Sequence, residues 1–267
     1  MGADTRWQNL RPVRKAESQM TGVIGIILAG GQSLRFGGAL SRPKPVVEIH
    51  GVPLVLRAAA KLVAEGANRI CVLTGRNHGA IRDALDMERD AGFLRAGSNI
   101  PIPFELRYSG DQTGSAGRLL AMDRSELADG ALLSYTDVFT DAPLAGLLEM
   151  VRGEGSALAL MTVSPPLPWG IVRSDNNLVT SFDEKPRLQS LCANAGFYAC
   201  ASGILDYISA PGEMLENEPM RRMIEAGGVR SSHHEGQWLG IDNPKDVANA
   251  ETGHTDLFGE QDQLMIG

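Results

Sequence analysis

The sequence predicts an α/β fold, a doubly wound and mostly parallel Rossmann-like sheet that receives an antiparallel insertion in its second half. Two observations carry this prediction. Between residues 23 and 163, short apolar runs of strand length alternate with amphipathic runs of helical length. Further along, the pattern changes to short strands joined by tight turns. The chain has 267 residues, 43% of them hydrophobic, and can fill a sizeable core.

The predicted elements follow one another in order. GIIL opens the sheet, and PLVLRAAAKLVAEG predicts the helix that crosses to the parallel strand RICVLTG. HGAIRDAL predicts the next helix and FELRYS the next strand. ALLSYTD and SALALMTV continue the parallel sheet on either side of the helical run PLAGLLEMVRGEG. The insertion consists of two strands around an Asp-Asn-Asn turn in GIVRSDNNLVTSFDE, followed by the strand CANAGFYAC.

The domain organisation follows from the same change of pattern. Residues 21–253 are predicted to form one domain, because no linker, internal repeat or low-complexity tract separates its parts. We divide it into a first half, 21–164, and a second half, 165–253, and expect both halves to share one sheet. Residues 1–20 are polar and predict a disordered leader, and residues 254–267 are predicted to be a tail.

Composition excludes several classes of function. The formal net charge of −7 argues against nonspecific binding of nucleic acid, because phosphate backbones are held by an excess of Lys and Arg. No apolar run approaches the ~20 residues of a membrane span, and the first residues lack the hydrophobic centre of a signal peptide. We therefore expect a cytoplasmic protein without membrane or nucleic-acid partners. Cys71, Cys192 and Cys200 have no metal-ligand or CxxC spacing, so we expect reduced, buried thiols.

The segment from Val23 to Gly51 reads VIGIILAGGQSLRFGGALSRPKPVVEIHG and places glycines and isolated cations after the first predicted strand. The dinucleotide fingerprint GxGxxG does not fit, because Gln32 and Arg35 stand where that pattern needs glycine. The P-loop pattern GxxxxGK[ST] does not fit either, since no Gly-Lys-Ser or Gly-Lys-Thr follows the glycines. What remains is a strand, a turn of small residues, and a loop that carries two cations.

This arrangement is typical of a triphosphate cradle. Small residues at a strand end let a nucleotide lie against backbone N–H groups, where open α/β sheets bind ligands. Arg35 supplies a fork that matches phosphate oxygens, and Lys44 supplies a compact charge on a loop stiffened by two prolines. An alternative stays open, in which the glycines only make a tight turn and the cations are solvated. The candidate backbone cradle consists of Leu28, Ala29, Gly30 and Gly31.

The stretch, together with several later segments, resembles the sugar-1-phosphate nucleotidyltransferases. The hallmark of that family is a first strand, a Gly-rich loop with an arginine, and a Lys-Pro a short way downstream. The resemblance runs from about Thr21 to about Glu251. SGDQTGSAGRL, LLSYTDVFTD, VTSFDEKP, CANAGFYAC and LENEPMRRMIEAGG are similar, in order and spacing, to segments of the glucose-1-phosphate cytidylyltransferase branch. The first half would then bind nucleotide and the second half sugar.

The resemblance implies roles for the charged residues of the cradle and for two aspartates. Arg35 and Lys44 would bind and activate the nucleoside triphosphate, with Ser33 supplying a hydroxyl in the turn. Asp137, at the end of an apolar strand, and Asp242, after QWLGI, would hold Mg²⁺. Two simpler interpretations remain open: Asp137 could cap the following turn, and Asp242 could be the N-cap of the terminal helix.

Further roles concern the sugar and the nucleobase. The resemblance assigns Glu184 to sugar hydroxyls and Lys185 to the sugar phosphate. A charged pair at a strand end is also commonly solvated, so that alternative stays open. Asn194 and Gly196 of the NAG segment would contact the sugar. A second small-residue loop, which contains Gly114, Gly117 and Arg118, would recognise the base through its backbone. The alternative is that Gly117 only starts a helix.

The implied reaction transfers a nucleoside monophosphate from a triphosphate to a sugar 1-phosphate, such as glucose 1-phosphate, and releases pyrophosphate. We rank CTP first and GTP second as the nucleotide, with UTP and dTTP as further options. The partners are these two substrates, and a homo-oligomer is left open. One rival is a catalytically silent regulator that binds nucleotide or sugar nucleotide. Another is an enzyme acting on a molybdenum cofactor or a polyol phosphate. His233 and His234 are expected to be solvated.

Overall fold

A computed structural model gives the fold and describes residues 22–31, 42–87, 89–95, 101–153, 155–164, 167, 169–186, 191–253 and 257–258. The predicted leader, 1–20, lies outside the described residues. The same is true of Ser33 and Arg35, two candidates for the triphosphate cradle, and of most of the predicted tail.

The described residues form fourteen strands and five α-helices. The strands are β1 (Ile24–Ala29), β2 (Glu48–Ile49), β3 (Val52–Pro53), β4 (Arg69–Thr74), β5 (Ala91–Arg95), β6 (Pro101–Tyr108), β7 (Ala131–Tyr135), β8 (Val138–Thr140), β9 (Leu158–Val163), β10 (Ile171–Asp175), β11 (Leu178–Asp183), β12 (Ala193–Cys200), β13 (Val229–His234) and β14 (Trp238–Gly240). The helices are α1 (Leu54–Ala64), α2 (His78–Ala84), α3 (Ala145–Gly153), α4 (Glu218–Glu225) and α5 (Pro244–Gly253). Short 3₁₀ turns cover Lys44–Val46, Gly117–Ala121, Arg124–Leu127 and Ser202–Tyr207.

Eight strands form the central sheet, in the order β13-β9-β12-β7-β1-β4-β6-β5. Parallel pairing joins β13 to β9, β7 to β1, β1 to β4 and β4 to β6, whereas β12 and β5 run antiparallel to their neighbours. The predicted α/β class and mostly parallel sheet are therefore confirmed. Strands β12 and β13 belong to the second half of the chain and lie in the same sheet as β1.

Strand β1 is buried on both faces, which explains its continuous apolar sequence. Ile24, Ile26 and Leu28 point into one core cluster, which includes Met223 of α4. Ile27 lies on the opposite face, in a second cluster that contains side chains of α1, α2 and α3. Because successive side chains of a strand alternate between faces, a strand covered by helices on both sides must be apolar at every position.

The second half contains the predicted hairpin. Strands β10 and β11 pair antiparallel and form a separate two-stranded sheet. Asn176 and Asn177 connect them with φ of 45° and 69°. A two-residue hairpin turn with positive φ at both positions matches the twist of the flanking strands, and Asn tolerates this conformation better than most residues. The Asp-Asn-Asn signal therefore identified the turn correctly.

The point at which the chain reverses direction across the sheet defines the ligand-binding edge. From β1 the chain moves outward through β4 to β6, and it then returns to β7 on the other side of β1. In open α/β sheets, ligands bind beyond the carboxyl ends of strands at such a reversal. The residues that follow β1 and β7 therefore flank the expected site.

A small ribbon at this edge is held by a segment near the end of the chain. Strand β14 pairs antiparallel with β8, apart from the central sheet. The ring of Phe139 in β8 meets the ring of Phe258 edge to face, with centroids 5.2 Å apart. The guanidinium of Arg57 lies over the same Phe258 ring at 4.9 Å and donates to the Phe258 carbonyl oxygen at 3.4 Å. Phe258 thus anchors the ribbon to α1.

Replacing Phe258 with alanine should lower the free energy of unfolding by about 3–5 kcal/mol, because it empties a packed apolar site between Phe139 and Arg57. Urea denaturation followed by circular dichroism measures this change. Phe182→Ala is the matched control, since Phe182 is 61% exposed on the hairpin and its loss should cost less than about 0.5 kcal/mol. Equal costs for the two variants would contradict the anchoring role of Phe258.

Candidate active site

A cavity of about 650 Å³ opens at the carboxyl ends of β1 and β7. This is the place predicted from the order of the strands. Half of the residues proposed from the sequence line this cavity, which brings together positions from both halves of the chain. They are Leu28, Gly30, Gly31, Lys44, Gly114, Arg118, Asp137 and Asp242.

Lys44 forms the centre of the charged part of the cavity. Its ammonium nitrogen lies 2.6 Å from Oδ2 of Asp137 and 3.4 Å from Oδ1 of Asp242. The Lys44 side chain is 13% exposed, so these ion pairs are partly shielded from water. Lys44 opens a 3₁₀ turn immediately after Pro43, and Pro45 follows it inside the turn. The fixed φ of the two prolines leaves the loop few conformations and holds the ammonium at the two carboxylates.

Asp137 and Asp242 meet because of the ribbon formed by β8 and β14. Asp137 directly precedes β8 and Asp242 lies two residues after β14, and in this antiparallel pair Gly240 is opposite Val138. The Ile241 N–H also donates to the Asp137 carbonyl oxygen at 2.8 Å. The start of one strand and the end of the other therefore lie side by side. The pairing of these two short strands, apart from the central sheet, brings the two aspartates together.

The helix-cap interpretation of Asp242 is excluded by the contacts at the start of α5. The side-chain oxygen of Asn243 accepts from the backbone N–H groups of Lys245 and Asp246, at 3.0 and 3.2 Å. The carboxylate of Asp246 in turn accepts from the N–H groups of Asn243 and Asp242. Asn243 is therefore the N-cap, in a reciprocal capping arrangement. The Asp242 carboxylate faces Lys44 instead.

Arg118 lies across the backbone of Gly30. Its terminal nitrogens donate to the carbonyl oxygens of Thr74, Gly30, Thr113 and Gly110 at 2.8–3.1 Å, and to the Ser109 hydroxyl. Burial lowers the pKa of this guanidinium from its ordinary value. A Cβ on Gly30 would lie 1.8 Å from the guanidinium carbon. The glycine therefore makes room for a protein side chain, and the predicted nucleobase contact of Arg118 stays a prediction.

Gly114 and Gly117 approach the backbone of another loop. A Cβ on Gly114 would lie 2.2 Å from the Glu213 carbonyl oxygen, and a Cβ on Gly117 would lie 1.8 Å from that of Pro211. The Gly114 N–H donates to the same Pro211 oxygen at 2.8 Å. Gly117 also begins a 3₁₀ turn, as in the simpler interpretation, and does not line the cavity. Ala29, which is buried in the core, does not line it either.

Asn194 and Gly196 lie on β12 next to β7, outside the cavity lining. Gly196 has φ of +79°, at a point where the register of β12 shifts. Asn194 accepts from the Gly196 N–H at 3.0 Å and donates to the Tyr198 hydroxyl at 2.6 Å. A Cβ on Gly196 would approach Val138 to 3.0 Å and Tyr135 to 3.2 Å. These contacts shape the wall of the site, and direct contact with a sugar stays a prediction.

Glu184 and Lys185 lie just beyond the hairpin strand β11. Their side chains are 63% and 61% exposed, and their charged atoms are 3.8 Å apart. They do not line the cavity. Lys185 has φ of +46°, an uncommon conformation for lysine. Their predicted contacts with the sugar and its phosphate stay predictions.

Several cavity residues were not proposed from the sequence. Some of them are adjacent in the chain to the proposed glycines, and others are adjacent to Asp137. Their position beside a proposed residue was the signal that could have identified them. Others have no local signal, because they reach the cavity only through tertiary packing. The additional residues are Pro45, Asp111, Gln112, Thr113, Ser115, Tyr135, Thr136, Gly212 and Met214.

The three cysteines and the histidines among the described residues lie away from the cavity lining. Cys71 and Cys200 are buried, and burial raises the pKa of each thiol to about 12, so both are unreactive. Cys192 is exposed and lies 3.6 Å from Nδ1 of His233, which corrects the expectation that all three thiols are buried. Nε2 of His234 lies 2.5 Å from the Asp141 carboxylate and its side chain is largely covered, which corrects the expectation that His234 is solvated. His233 is exposed, as predicted.

The chain is similar to known proteins over most of its length. The family model described as nucleotidyl transferase matches residues 24–256, most of the chain. The chain belongs to the nucleotidyl transferase family. Glucose-1-phosphate cytidylyltransferase of Salmonella typhi is 25% identical over 241 residues, which cover 85% of this chain and 93% of that protein. Mannose-1-phosphate guanyltransferase of Gibberella zeae is 30% identical over 232 residues, which cover 83% of this chain but 61% of that protein.

Solved structures share the nucleotidyl transferase fold. A provisionally assigned glucose-1-phosphate thymidylyltransferase from Bacillus anthracis superposes with a TM-score of 0.64 at 21% identity, over 90% of this chain and 98% of that chain. HddC from Yersinia pseudotuberculosis gives a TM-score of 0.63 at 19% identity, over 85% and 97% of the two chains. At these identities the comparison supports the fold alone. Across the described residues, no helix is long and apolar enough to cross a membrane.

The donor set of this nucleotidyl transferase is compatible with a divalent cation. Asp137 and Asp242 present carboxylate oxygens to one point, where both contact the Lys44 ammonium. Mg²⁺ is typically held by one or two carboxylates together with substrate phosphates and water, so two aspartates are enough. Within the described ranges, no group of three or more His, Cys, Asp or Glu residues could hold a metal ion. Binding would therefore depend on phosphate oxygens from the substrate.

Replacing Gly30 with alanine should destabilise the protein by roughly 1–3 kcal/mol or more, because the new methyl group displaces the Arg118 guanidinium from its carbonyl partners. Urea denaturation measures the loss. Gly31→Ala is the matched control, since no atom of the described residues lies within 4 Å of the added Cβ, and its cost should stay below about 0.5 kcal/mol. The packing role of Gly30 would be wrong if both variants were equally stable.

Proposed function

We propose that the protein transfers a nucleoside monophosphate from a nucleoside triphosphate, with CTP preferred, to a sugar 1-phosphate such as glucose 1-phosphate. The products are a nucleoside diphosphate sugar and pyrophosphate. The observation that carries the proposal is the contact of Lys44 with both Asp137 and Asp242 in the cavity that follows β1. A lysine beside a glycine backbone suits a polyphosphate substrate, and the two carboxylates that it contacts suit the divalent cation that accompanies such a substrate.

The chemistry needs little from the protein beyond alignment and charge. A sugar 1-phosphate is largely dianionic at neutral pH, so one of its oxygens can attack the α-phosphorus directly. A new P–O bond forms as the bond between the α- and β-phosphates breaks, and pyrophosphate leaves with that electron pair. No proton has to be removed from the nucleophile and no covalent enzyme intermediate is required. The protein must hold two anions in line and offset their repulsion.

The residues of the site divide these tasks between them. Lys44 stabilises the negative charge that spreads over the transferred phosphoryl group, and Arg35 is proposed to do the same for the departing phosphates. Asp137 and Asp242 would hold Mg²⁺, which, when bound, neutralises phosphate charge and polarises the α-phosphate. Gly31 leaves its backbone open to the triphosphate, and the Gly30 backbone lines the same cavity while Arg118 packs where a Gly30 side chain would lie.

The sugar phosphate is proposed to meet Lys185, whose ammonium is exposed beyond the hairpin. The carboxylate of Glu184 beside it is proposed to accept hydrogen bonds from hydroxyl groups of the sugar. A flexible lysine stem can bring a point charge to an incoming dianion. Removal of Lys185 should then raise KM for the sugar phosphate and leave KM for the nucleotide little changed.

The preference for CTP rests on similarity to the Salmonella cytidylyltransferase, because the aligned residues cover nearly all of that protein. The guanyltransferase of Gibberella zeae is somewhat more identical but extends well beyond the aligned residues. GTP therefore remains the second choice. The carboxylate of Asp111 and the amide of Gln112 line the cavity and can both hydrogen-bond a base edge.

A panel of CTP, GTP, UTP and dTTP against several sugar 1-phosphates tests the proposed reaction. We expect pyrophosphate release only when Mg²⁺, a preferred triphosphate and a sugar 1-phosphate are all present. Each of the three omissions is a control and should abolish release. Specific nucleotide binding without turnover of any pair would favour the silent regulator. Turnover with a polyol phosphate as acceptor, and with none of the sugar 1-phosphates, would favour the enzyme that acts on a polyol phosphate.

Variants of the charged centre test its residues separately. Lys44→Ala should lower kcat by about 10²-fold or more with the fold intact, because it removes charge stabilisation at the transferred group.

Asp242→Asn should lower activity by about 10-fold or more and raise the Mg²⁺ concentration needed for half-maximal rate. Asp83→Asn, on an exposed aspartate of α2, is the matched control for this change. An unchanged Mg²⁺ requirement in Asp242→Asn would remove that residue from the metal site.

A further inference from the structure

One wall of the cavity carries hydroxyl groups that the proposed chemistry does not use. Ser115 and Tyr135 both line the cavity, and both donate hydrogen bonds to the carboxylate of Glu216. The Ser115 hydroxyl lies 3.1 Å from Oε2, and the Tyr135 hydroxyl donates to Oε1. We call these three residues the Glu216 bracket. It joins the loop after β6 and the end of β7 to the segment that precedes α4.

The bracket fixes the direction of both hydroxyl groups. A hydroxyl has a single proton, and an ionised carboxylate can only accept hydrogen bonds, so the protons of Ser115 and Tyr135 point at Glu216. Burial, with the nearby Tyr198 and Glu216, raises the pKa of the Tyr135 phenol, which therefore stays protonated. Ser115 is also held by the Leu215 N–H, which donates to its oxygen at 2.7 Å. The Leu215 N–H occupies one lone pair of the Ser115 oxygen, so Ser115 can accept one further hydrogen bond, and Tyr135 can accept through its phenolic oxygen.

A wall of acceptors is complementary to a ligand that carries donors. Ionised phosphates carry none, whereas a sugar carries several hydroxyl groups. The position of the bracket agrees with this, because Tyr135 precedes Asp137 by two residues and Glu216 belongs to the second half of the chain. The Tyr135 ring also lies beside Gly196 of β12, which has no Cβ that would crowd it.

We infer that Ser115 and Tyr135, oriented by Glu216, accept hydrogen bonds from hydroxyl groups of the acceptor sugar and thereby help to determine which sugar 1-phosphates react. The inference rests on the proposed function. Ser115 and Tyr135 contact the sugar directly, and Glu216 is a positioning residue that acts through them. A sugar that lacks the matching hydroxyl leaves an acceptor of the enzyme unpaired in the cavity, which makes discrimination strong.

A deoxy-sugar series tests the bracket. The kcat/KM values of wild type, Tyr135→Phe and Glu216→Gln are measured with the best sugar 1-phosphate and its mono-deoxy analogues, at saturating nucleotide. Wild type should lose about 10-fold or more for at least one analogue. The two variants should lose less than about threefold for the same analogue, because the contact is already disrupted.

Glu218→Gln is the matched control. It removes the same charge two residues away, where Glu218 pairs with Arg221 outside the cavity lining, and it should keep the wild-type pattern. Ser115→Ala replaces Tyr135→Phe if thermal denaturation shows that the tyrosine variant does not fold. A merely structural role would lower Tm without changing the ratio between parent and deoxy substrates.

Two outcomes would overturn the inference while the proposed function stands. One is that each deoxy analogue lowers kcat/KM, relative to the parent sugar 1-phosphate, by the same factor in wild type and in the variants. The other is a variant effect that appears only with 2′-deoxy or 3′-deoxy nucleotides, which would assign the bracket to the ribose. A wild type that is inactive with all sugar 1-phosphates would instead overturn the proposed function, and the role of the bracket with it.

Discussion

The carboxyl edge of the sheet depends on one buried guanidinium. Where parallel strands end, backbone carbonyl groups leave the ladder of hydrogen bonds, and burying them without donors is costly. Arg118 supplies these donors to Gly30 after β1, to Thr74 at the end of β4 and to Thr113 after β6. It thereby ties three loops into one rigid surface. The floor of the cavity is set before any ligand binds, which is the condition for electrostatic preorganisation.

The acidic side of the cavity is held by a different device. The pairing of β8 with β14 places Asp137 and Asp242 side by side, and Phe258 packs behind the ribbon against Phe139. Asn243 caps the following helix, so Asp242 is free of that task and its carboxylate turns to Lys44. A short ribbon with a capped helix after it thus positions two carboxylates that are distant in sequence.

The sequence predicted the long elements because their periodicity is strong. Strands β1, β4, β7 and β9 and helices α1 and α3 all form where apolar runs predicted them. Strands β8 and β14 have three residues each, which is too few for a detectable period. Glycine shows the limit for the site, since Gly30 and Gly114 were assigned to a ligand whereas the structure fills the space with protein atoms. The sequence does not distinguish a glycine that makes room for a ligand from a glycine that makes room for other protein atoms. The Glu216 bracket was missed because its members meet only after folding.

The net charge of the site limits how it can receive two anionic substrates. Asp137 and Asp242 outweigh Lys44 by one negative charge, in a cavity proposed to receive a triphosphate and a sugar phosphate. Such a site would repel its own substrates unless further cations entered with them or approached from the loop that carries Arg35. Asp137 and Asp242 would hold a divalent ion on the proposed function, and the three side chains and the ion would then together carry one positive charge toward the phosphates. With such an ion as the partner of the two carboxylates, the Lys44 ammonium would be available to the phosphates. On the proposed function, substrate binding would therefore start from the ion pairs of Lys44 with Asp137 and Asp242 and would replace them.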